Sequence, residues 1–169
     1  MQMGRKVEKK QRPGSQPRPA AGESAGSQPA SASGEALVAP VAGQVIGLSD
    51  VKDDVFSSGA MGQGFAVIPE EDAITAPCDA EVTAVFETKH AIGLTTRSGA
   101  EVLVHVGIDT VMLNGQNFDV NVQPGAIVHQ GDLLLTADFD AIRSAGYDPT
   151  VMVIVTDPHG ITETFPSPA

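Results

Sequence analysis

The stretch AEVTAVFETKHAIGLTTRSGAEVLVHV, residues 80–106, decides the fold. It holds three short runs, AEVTAVF (80–86), HAIGLTT (90–96) and EVLVHV (101–106), rich in Val, Ile, Leu and Thr. Runs of this length and composition, parted by a few turn residues, read as β-strands. Ser98-Gly99 marks a tight turn, so the second and third runs form a hairpin. Alternation along the third run puts Val102, Val104, Val106 and Ile108 on one face, and Glu101, Leu103, His105 and Gly107 on the other. The first set is the better core face, which leaves His105 on the face that meets solvent or a shallow pocket.

The same texture extends outward. GQVIGL (43–48), GFAVI (64–68), FDVN (118–121), DLLLTA (132–137) and TVMVIVT (150–156) read as further strands. Asn114-Gly115 predicts a two-residue hairpin between VML and NFDV. Only DFDAIRSA, 138–145, reads as a helix, with Asp138 as N-cap and Gly146 past its end. Many short strands and one short helix predict an all-β fold, an antiparallel β-sandwich or barrel. LVAPVAGQVIGL (37–48) and ITAPCDAEVTAV (74–85) echo each other at an offset of 37, with Ala-Pro in register and Val45 over Val82. That echo reads either as two similar strand entries or as a fold built from two related β motifs. Residues 38–48, with VQPGAIVHQGDLLLTAD (122–138), resemble a biotinyl or lipoyl carrier half-domain, a likeness of fold more than of chemistry.

Composition sets the boundary and narrows the function. The chain has 169 residues, 10 Lys and Arg against 21 Asp and Glu, and a formal charge of −11. Residues 1–36 carry six of the bases and three of the acids, leaving four bases and 18 acids for 37–169, a formal −14. PGSQPRPAAGESAGSQPASASGEA, 13–36, has no large apolar side chain and cannot bury enough surface to offset chain entropy. Residues 1–36 are therefore expected to be a disordered linker or tail, and 37–169 the folded domain. The acidic balance argues against nucleic acid as a partner, because phosphate binding wants clustered Lys and Arg. No apolar run approaches the roughly 20 residues of a membrane-spanning helix, and no apolar stretch follows the N-terminal bases as a secretory signal requires. One cysteine, Cys78, excludes an internal disulfide and fits a reducing cytoplasm.

Few residues remain for chemistry. The four histidines are His90, His105, His129 and His159. A histidine in an apolar strand is more often structural than catalytic. His90 and His105, however, fall at comparable distances from the Ser98-Gly99 turn, so two imidazoles meet across adjacent strands. Such a pair suits a nucleophile with a hydrogen-bond donor, or part of a metal site. Zinc would need a third ligand, with His129, Asp109 and Asp79 as candidates, and no HExxH spacing is present. His129 in VHQGD and His159 in DPHG read as loop and turn residues, and PEEDA (69–73) as a solvated loop. Cys78 reads as a small buried filler.

These residues also carry a resemblance. GAEVLVHVGIDTV, 99–111, is similar to the phosphorylation-site signature of the glucose-type IIA component of the bacterial sugar phosphotransferase system. All 13 slots are filled, with Gly99, Val102-Leu103-Val104, His105, Val106, Gly107, Ile108, Thr110 and Val111 at the specified ones. FETKHAIGL, 86–94, resembles that family's second histidine segment, with Thr88 and His90 in place. MGQGFAVIP, APCDAEV and the AP-x-x-G start at 39–43 match the surrounding strands. The likeness runs from about Leu37 to Ile161. It departs at Lys89, where the family often has Asn, at Cys78, where it has an aliphatic residue, and at Ala80-Glu81, where it often has Gly-Thr.

The resemblance implies a barrel-sandwich hybrid built from duplicated hybrid motifs. It implies a cytoplasmic phosphotransferase domain, free or tethered to a membrane permease, that needs no cofactor or metal. His105 would take a phosphoryl group from the histidine phosphocarrier protein (HPr) and pass it to a cysteine of a permease IIB domain. His90 would donate a hydrogen bond to the phosphoryl group, and Thr88 would orient His90. Gly107 would keep the backbone beside His105 clear of side-chain atoms. Asp109 fills a slot of the motif, or is a turn residue. Phe65, Val67 and Val106 would form an apolar rim for docking, or ordinary core. Regulatory protein partners, inhibited by the unphosphorylated form, belong to the same picture. The linker-like tail suggests a piece or relative of a fused permease. Two other classes stay open: a zinc hydrolase of related architecture, and a carrier domain with Lys89 as the modified lysine, although the usual Asp-Lys-Ala or Met-Lys-Met context is absent.

Overall fold

The structure, a computed structural model, describes residues 36–158 and 165–166. Ten strands alternate with short connections: β1 Gly43–Gly47, β2 Gln63–Pro69, β3 Ala73–Thr75, β4 Ala80–Val85, β5 Ala91–Thr96, β6 Glu101–Val106, β7 Phe118–Val120, β8 Ile127–Val128, β9 Leu133–Ala137 and β10 Val151–Asp157. Among the described residues there are also two short helices, α1 Asp54–Ser57 and α2 Phe139–Ser144, and two 3-10 turns, Leu48–Asp50 and Thr110–Leu113. The strands form a seven-stranded sheet, β1-β2-β10-β6-β5-β4-β8, and a three-stranded sheet, β3-β9-β7. Every pairing is antiparallel. The fold is all-β. Of the two expected architectures, the described residues show open sheets sharing one core, and neither sheet closes into a barrel.

The core follows from strand alternation. Val102, Val104 and Val106 of β6 enter the main core with Val82, Ile92, Leu94 and, from the smaller sheet, Ile74, Phe118 and Leu135. β10 is buried on both faces, which is why VMVIV is an unbroken apolar run. Its Val151, Val153 and Val155 join the main core, while Met152 and Ile154 join a second cluster on the opposite face. That second cluster also holds Leu48, Val51, Phe56, Ala66 and Ile108. Ile108 thus departs from the expected alternation. Gly107 at φ 80° and Asp109 at φ 62° turn the chain out of the strand and carry Ile108 to the other side. Phe65, Val67 and Val106 are main-core residues, not a docking rim.

The Asn114-Gly115 hairpin is not formed. Both residues have positive φ, as a tight hairpin would need. Here they instead end the 3-10 turn at Leu113, with Asn114 as its C-cap, and β7 begins only at Phe118. The helix over 138–145 is present as α2, with the Asp138 carboxylate accepting from the Ala141 N–H. A cap of this kind stabilises by about 1 kcal/mol.

The sequence echo has a physical counterpart. Val38 N–H donates to the Pro77 carbonyl at 3.0 Å, and Thr75 N–H donates to the Pro40 carbonyl at 2.7 Å. Each bond maps onto the other by the offset of 37, and Leu37 and Ile74 are buried alike. The tail over 1–35 and the turn at His159 lie outside the described residues.

Candidate active site

Two strands and one turn bring the site together. Between β4 and β5 the chain reverses tightly, with Lys89 N–H donating to the Phe86 carbonyl and Phe86 N–H to Ala91. Lys89 closes this turn at φ 64°, a left-handed conformation in which Asn and Gly are favoured. The reversal sets His90 at the head of β5. There its carbonyl accepts from Val106 N–H at 2.7 Å. The β5–β6 register places Ala91 opposite His105, and on the other side β10 places Met152 opposite it.

The two imidazoles therefore meet. Their ring centroids lie 4.8 Å apart with planes at 83°. Thr88 Oγ1 is 2.7 Å from His90 Nδ1. The Phe86 ring meets His90 edge-on at 5.6 Å, and Phe56 of α1 tilts against His105 at 4.9 Å. His90 is only 4% exposed, and His105 is partly buried within the second apolar cluster's face. Burial lowers the pKa of His90. Burial and the neighbouring His90 lower that of His105 to about 4, against smaller raising effects from the Gly107 backbone and the Asp53 carboxylate. Both rings are thus neutral near pH 7.

The two ring nitrogens of His105 differ. Nδ1 is buried and has no partner of hydrogen-bond geometry, the one such side-chain atom among the described residues. The Gly107 backbone favours the protonated ring. A proton held on Nδ1 leaves the lone pair on Nε2, the nitrogen outside that buried class. Gly107 is required by geometry. A Cβ at its φ of 80° would lie 2.4 Å from Thr110 Cγ2 and 3.1 Å from the Asp148 carbonyl.

The other candidates disperse. Asp109 is an exposed left-handed residue ahead of a 3-10 turn, with no side-chain capping bond. His129 sits in an exposed loop, 3.9 Å from Asp79, and not with the His90–His105 pair. Among the described residues no group of three His, Cys, Asp or Glu could hold a metal ion. The Lys89 stem runs beside Gly115. Cys78 is buried in the core, and Glu70, Glu71 and Asp72 are exposed. Two contributors escaped the sequence reading. Asp53 caps α1, accepting from Val55 and Phe56 N–H, and sends its field to His105; Phe56 supplies the ring beside it. The signal was an Asp before Val55-Phe56, but a one-turn helix has no periodicity to read.

Residues 35–161 match the profile of a family described as phosphoenolpyruvate-dependent sugar phosphotransferase system, EIIA 1. Over 123 residues, 73% of the chain, it is 49% identical to the beta-glucoside-specific EIIBCA component of Bacillus subtilis, covering 20% of that protein. It is 46% identical to the glucosamine-specific EIICBA component of the same organism, again over 20% of it. Against the glucose-specific EIICBA component of Streptococcus pneumoniae the figures are 48% and 17%. The chain thus spans about a fifth of the length of these relatives. The solved glucose permease IIA of Mycoplasma capricolum superposes with a TM-score of 0.68 at 36% identity, covering 73% of this chain and 79% of that one. The relatives' names span three sugars, so the likeness is to EIIA components at large and to no single sugar type. No helix among the described residues is long and apolar enough to cross a membrane.

Proposed function

The chain belongs to the EIIA 1 family of the phosphoenolpyruvate-dependent sugar phosphotransferase system, and we propose that within it residues 37–169 act as a phosphocarrier domain, with His105 as the nucleophile. One observation carries this reading: two imidazoles meet edge to face with centroids 4.8 Å apart, one of them with its Nδ1 buried and without a partner.

The chemistry is a double displacement at phosphorus. The Nε2 lone pair of His105 attacks the phosphoryl group of the histidine phosphocarrier protein. The new P–N bond forms as the carrier's own P–N bond breaks and returns an electron pair to the carrier. A IIB cysteine thiolate then attacks, forming P–S, and the electron pair of the broken bond goes back to Nε2. Such transfer is positioning and charge stabilisation more than covalent work by the protein. Thr88 Oγ1 lies 2.7 Å from His90 Nδ1; in the tautomer with the His90 proton on Nε2, the hydroxyl donates to Nδ1 and the Nε2–H is free to meet a phosphoryl oxygen. His90 thereby becomes a donor without carrying charge.

Docking would use apolar contact. Val55 on α1, Phe86 in the β4–β5 turn, and Val111 and Met112 in the turn after β6 are exposed large apolar side chains on elements flanking the pair. Acidic residues such as Asp53 and Asp109 would meet a partner's basic groups at the rim. The complete 13-position signature favours the glucose-type branch, and the offset of 37 favours an origin in two related β motifs. Residues 1–36 would serve as a linker in a cytoplasmic domain docking on, or tethered to, a permease. The test is incubation with phosphoenolpyruvate and the two general phosphotransferase proteins, followed by intact mass and peptide mapping. One phosphoryl group on His105, absent in a folded His105→Ala variant, supports the reading. Phosphate on His90 or His129 contradicts it.

A further inference from the structure

The domain over 37–169 has four basic residues against 18 acidic ones: Lys52, Lys89, Arg97 and Arg143. Two of the four, Lys52 and Arg143, line one cleft of about 520 Å³. The protein's single tyrosine, Tyr147, lines the same cleft, as do Asp50 and Asp148. A cleft of this size is in the range that small organic ligands occupy.

The lining has two kinds of polar group. Arg143 uses Nη2 on the Pro69 carbonyl at 3.2 Å and Nη1 on Asp140 at 3.3 Å, which leaves further guanidinium donors uncommitted. Lys52 is exposed and has no hydrogen bond or ion pair among the described residues. Two cations at one cleft suit a phosphate. Two carboxylates in the same lining would repel a bare phosphate, but apart from Asp148 Oδ1, which already accepts from Thr150 N–H and Oγ1, their oxygens can accept from hydroxyl groups. The half-buried Tyr147 adds an aromatic wall with a polar tip. The ligand that satisfies all three has a phosphate at one end and several hydroxyls on a compact ring. We infer that this cleft binds a sugar monophosphate.

The cleft is separate from the histidine pair but linked to it. Asp148 and Thr150 lie in the loop before β10, where the Asp148 carboxylate accepts from Thr150 N–H at 2.9 Å. The carbonyls of Asp148 and Thr150 accept from Ile108 and Gly107 N–H, each at 2.9 Å. An occupant therefore bears on the chain two residues beyond His105. Val51, also in the lining, packs in the second apolar cluster with Phe56.

The test is a two-dimensional amide NMR titration of the full chain with glucose 6-phosphate, beside glucose and inorganic phosphate at equal concentrations. Saturable shifts are expected at Val51, Lys52, Tyr147, Asp148 and Thr150, with far smaller ones from either control. Lys52→Gln, which removes no contact within the described residues, and Arg143→Gln should each weaken binding about tenfold, the loss of one charged contact of roughly 1.4 kcal/mol. Absence of saturable shifts, equal shifts from inorganic phosphate, or unchanged binding by Lys52→Gln overturns the assignment. The readout requires no phosphoryl transfer, so its failure would leave the role of His105 untouched.

Discussion

The ring of His90 meets the ring of His105 edge to face, with centroids 4.8 Å apart and planes at 83°. The arrangement follows from two local facts. The left-handed Lys89 closes the turn that starts β5 at His90's shoulder, and the β5–β6 register sets the neighbouring Ala91 opposite His105. An edge-on neighbour can direct a ring N–H at whatever is attached to the other ring. That gives the two histidines different work, and the predictions below separate them.

His105 should stay neutral far below the usual histidine range. Its pKa is lowered to about 4 by burial and by His90. Acceptance of phosphate should therefore be insensitive to this group from pH 8 to about 5, and fall as pH approaches 4. Stability carries the same signature. Between pH 6.5 and 4 the unfolded chain binds a proton that the native chain refuses, so stability falls as pH drops through that window. The full effect is on the order of 3 kcal/mol. Urea midpoints at pH 7 and pH 5 should differ less in His105→Gln than in the wild type; equal differences would mean that burial of His105 does not oppose its charge.

His90→Gln should still accept phosphate but pass it on more slowly. Loss of a hydrogen bond to a charged group costs about 1.5–3 kcal/mol, or roughly 10- to 100-fold if felt only in the transition state. Rapid-quench measurement of the two half-reactions decides it. Equal losses in both would remove the division of labour.

Thr88 is a positioning residue, acting through its 2.7 Å contact with His90 Nδ1. Thr88→Val should shift the His90 tautomer balance, read by imidazole nitrogen NMR, and slow donation of the phosphoryl group by about tenfold, near 1.4 kcal/mol. Thr88→Ser should restore both. A Val variant with an unchanged tautomer would sink the claim.

Gly107→Ala should be costly. The new Cβ would lie 2.4 Å from Thr110 Cγ2 at a φ of 80°. Overpacking and left-handed strain together predict a loss of about 2–4 kcal/mol, seen as a lower chemical-denaturation midpoint. A change under about 0.5 kcal/mol would mean that the loop relaxes freely.

Strand periodicity made most of the fold legible. EVLVHV shows alternation, and it gives the main-core face of β6 and sets His105 on the opposite face, which a second apolar cluster covers in part. TVMVIVT showed no alternation, because β10 is covered on both sides. β3 and β8, of three and two residues, are held by pairing with β9 and β4 and have no pattern long enough to see. Asn114-Gly115 does not by itself choose between a hairpin and the end of a 3-10 turn, because positive φ at two successive residues suits both. The histidine pair was legible from its distance to one turn. Asp53 and Phe56 were not, because they reach His105 from α1, about 50 positions earlier in the chain, and only tertiary packing sets that distance.

The boundary at residue 36 is open to a direct check. Removing residues 1–36 should leave the melting temperature and the rate of phosphate acceptance close to unchanged, while raised salt slows transfer moderately by screening the acidic rim. A truncated chain that unfolds or fails to accept phosphate would place the boundary elsewhere.

The central claim is that His105 carries the phosphoryl group on Nε2, the nitrogen outside the buried interior. Phosphorus–nitrogen NMR on the phosphorylated protein, with labelled histidine, assigns the bonded atom. The account predicts coupling between phosphorus and Nε2 of His105. Coupling to Nδ1 of His105, or to either nitrogen of His90, would contradict it.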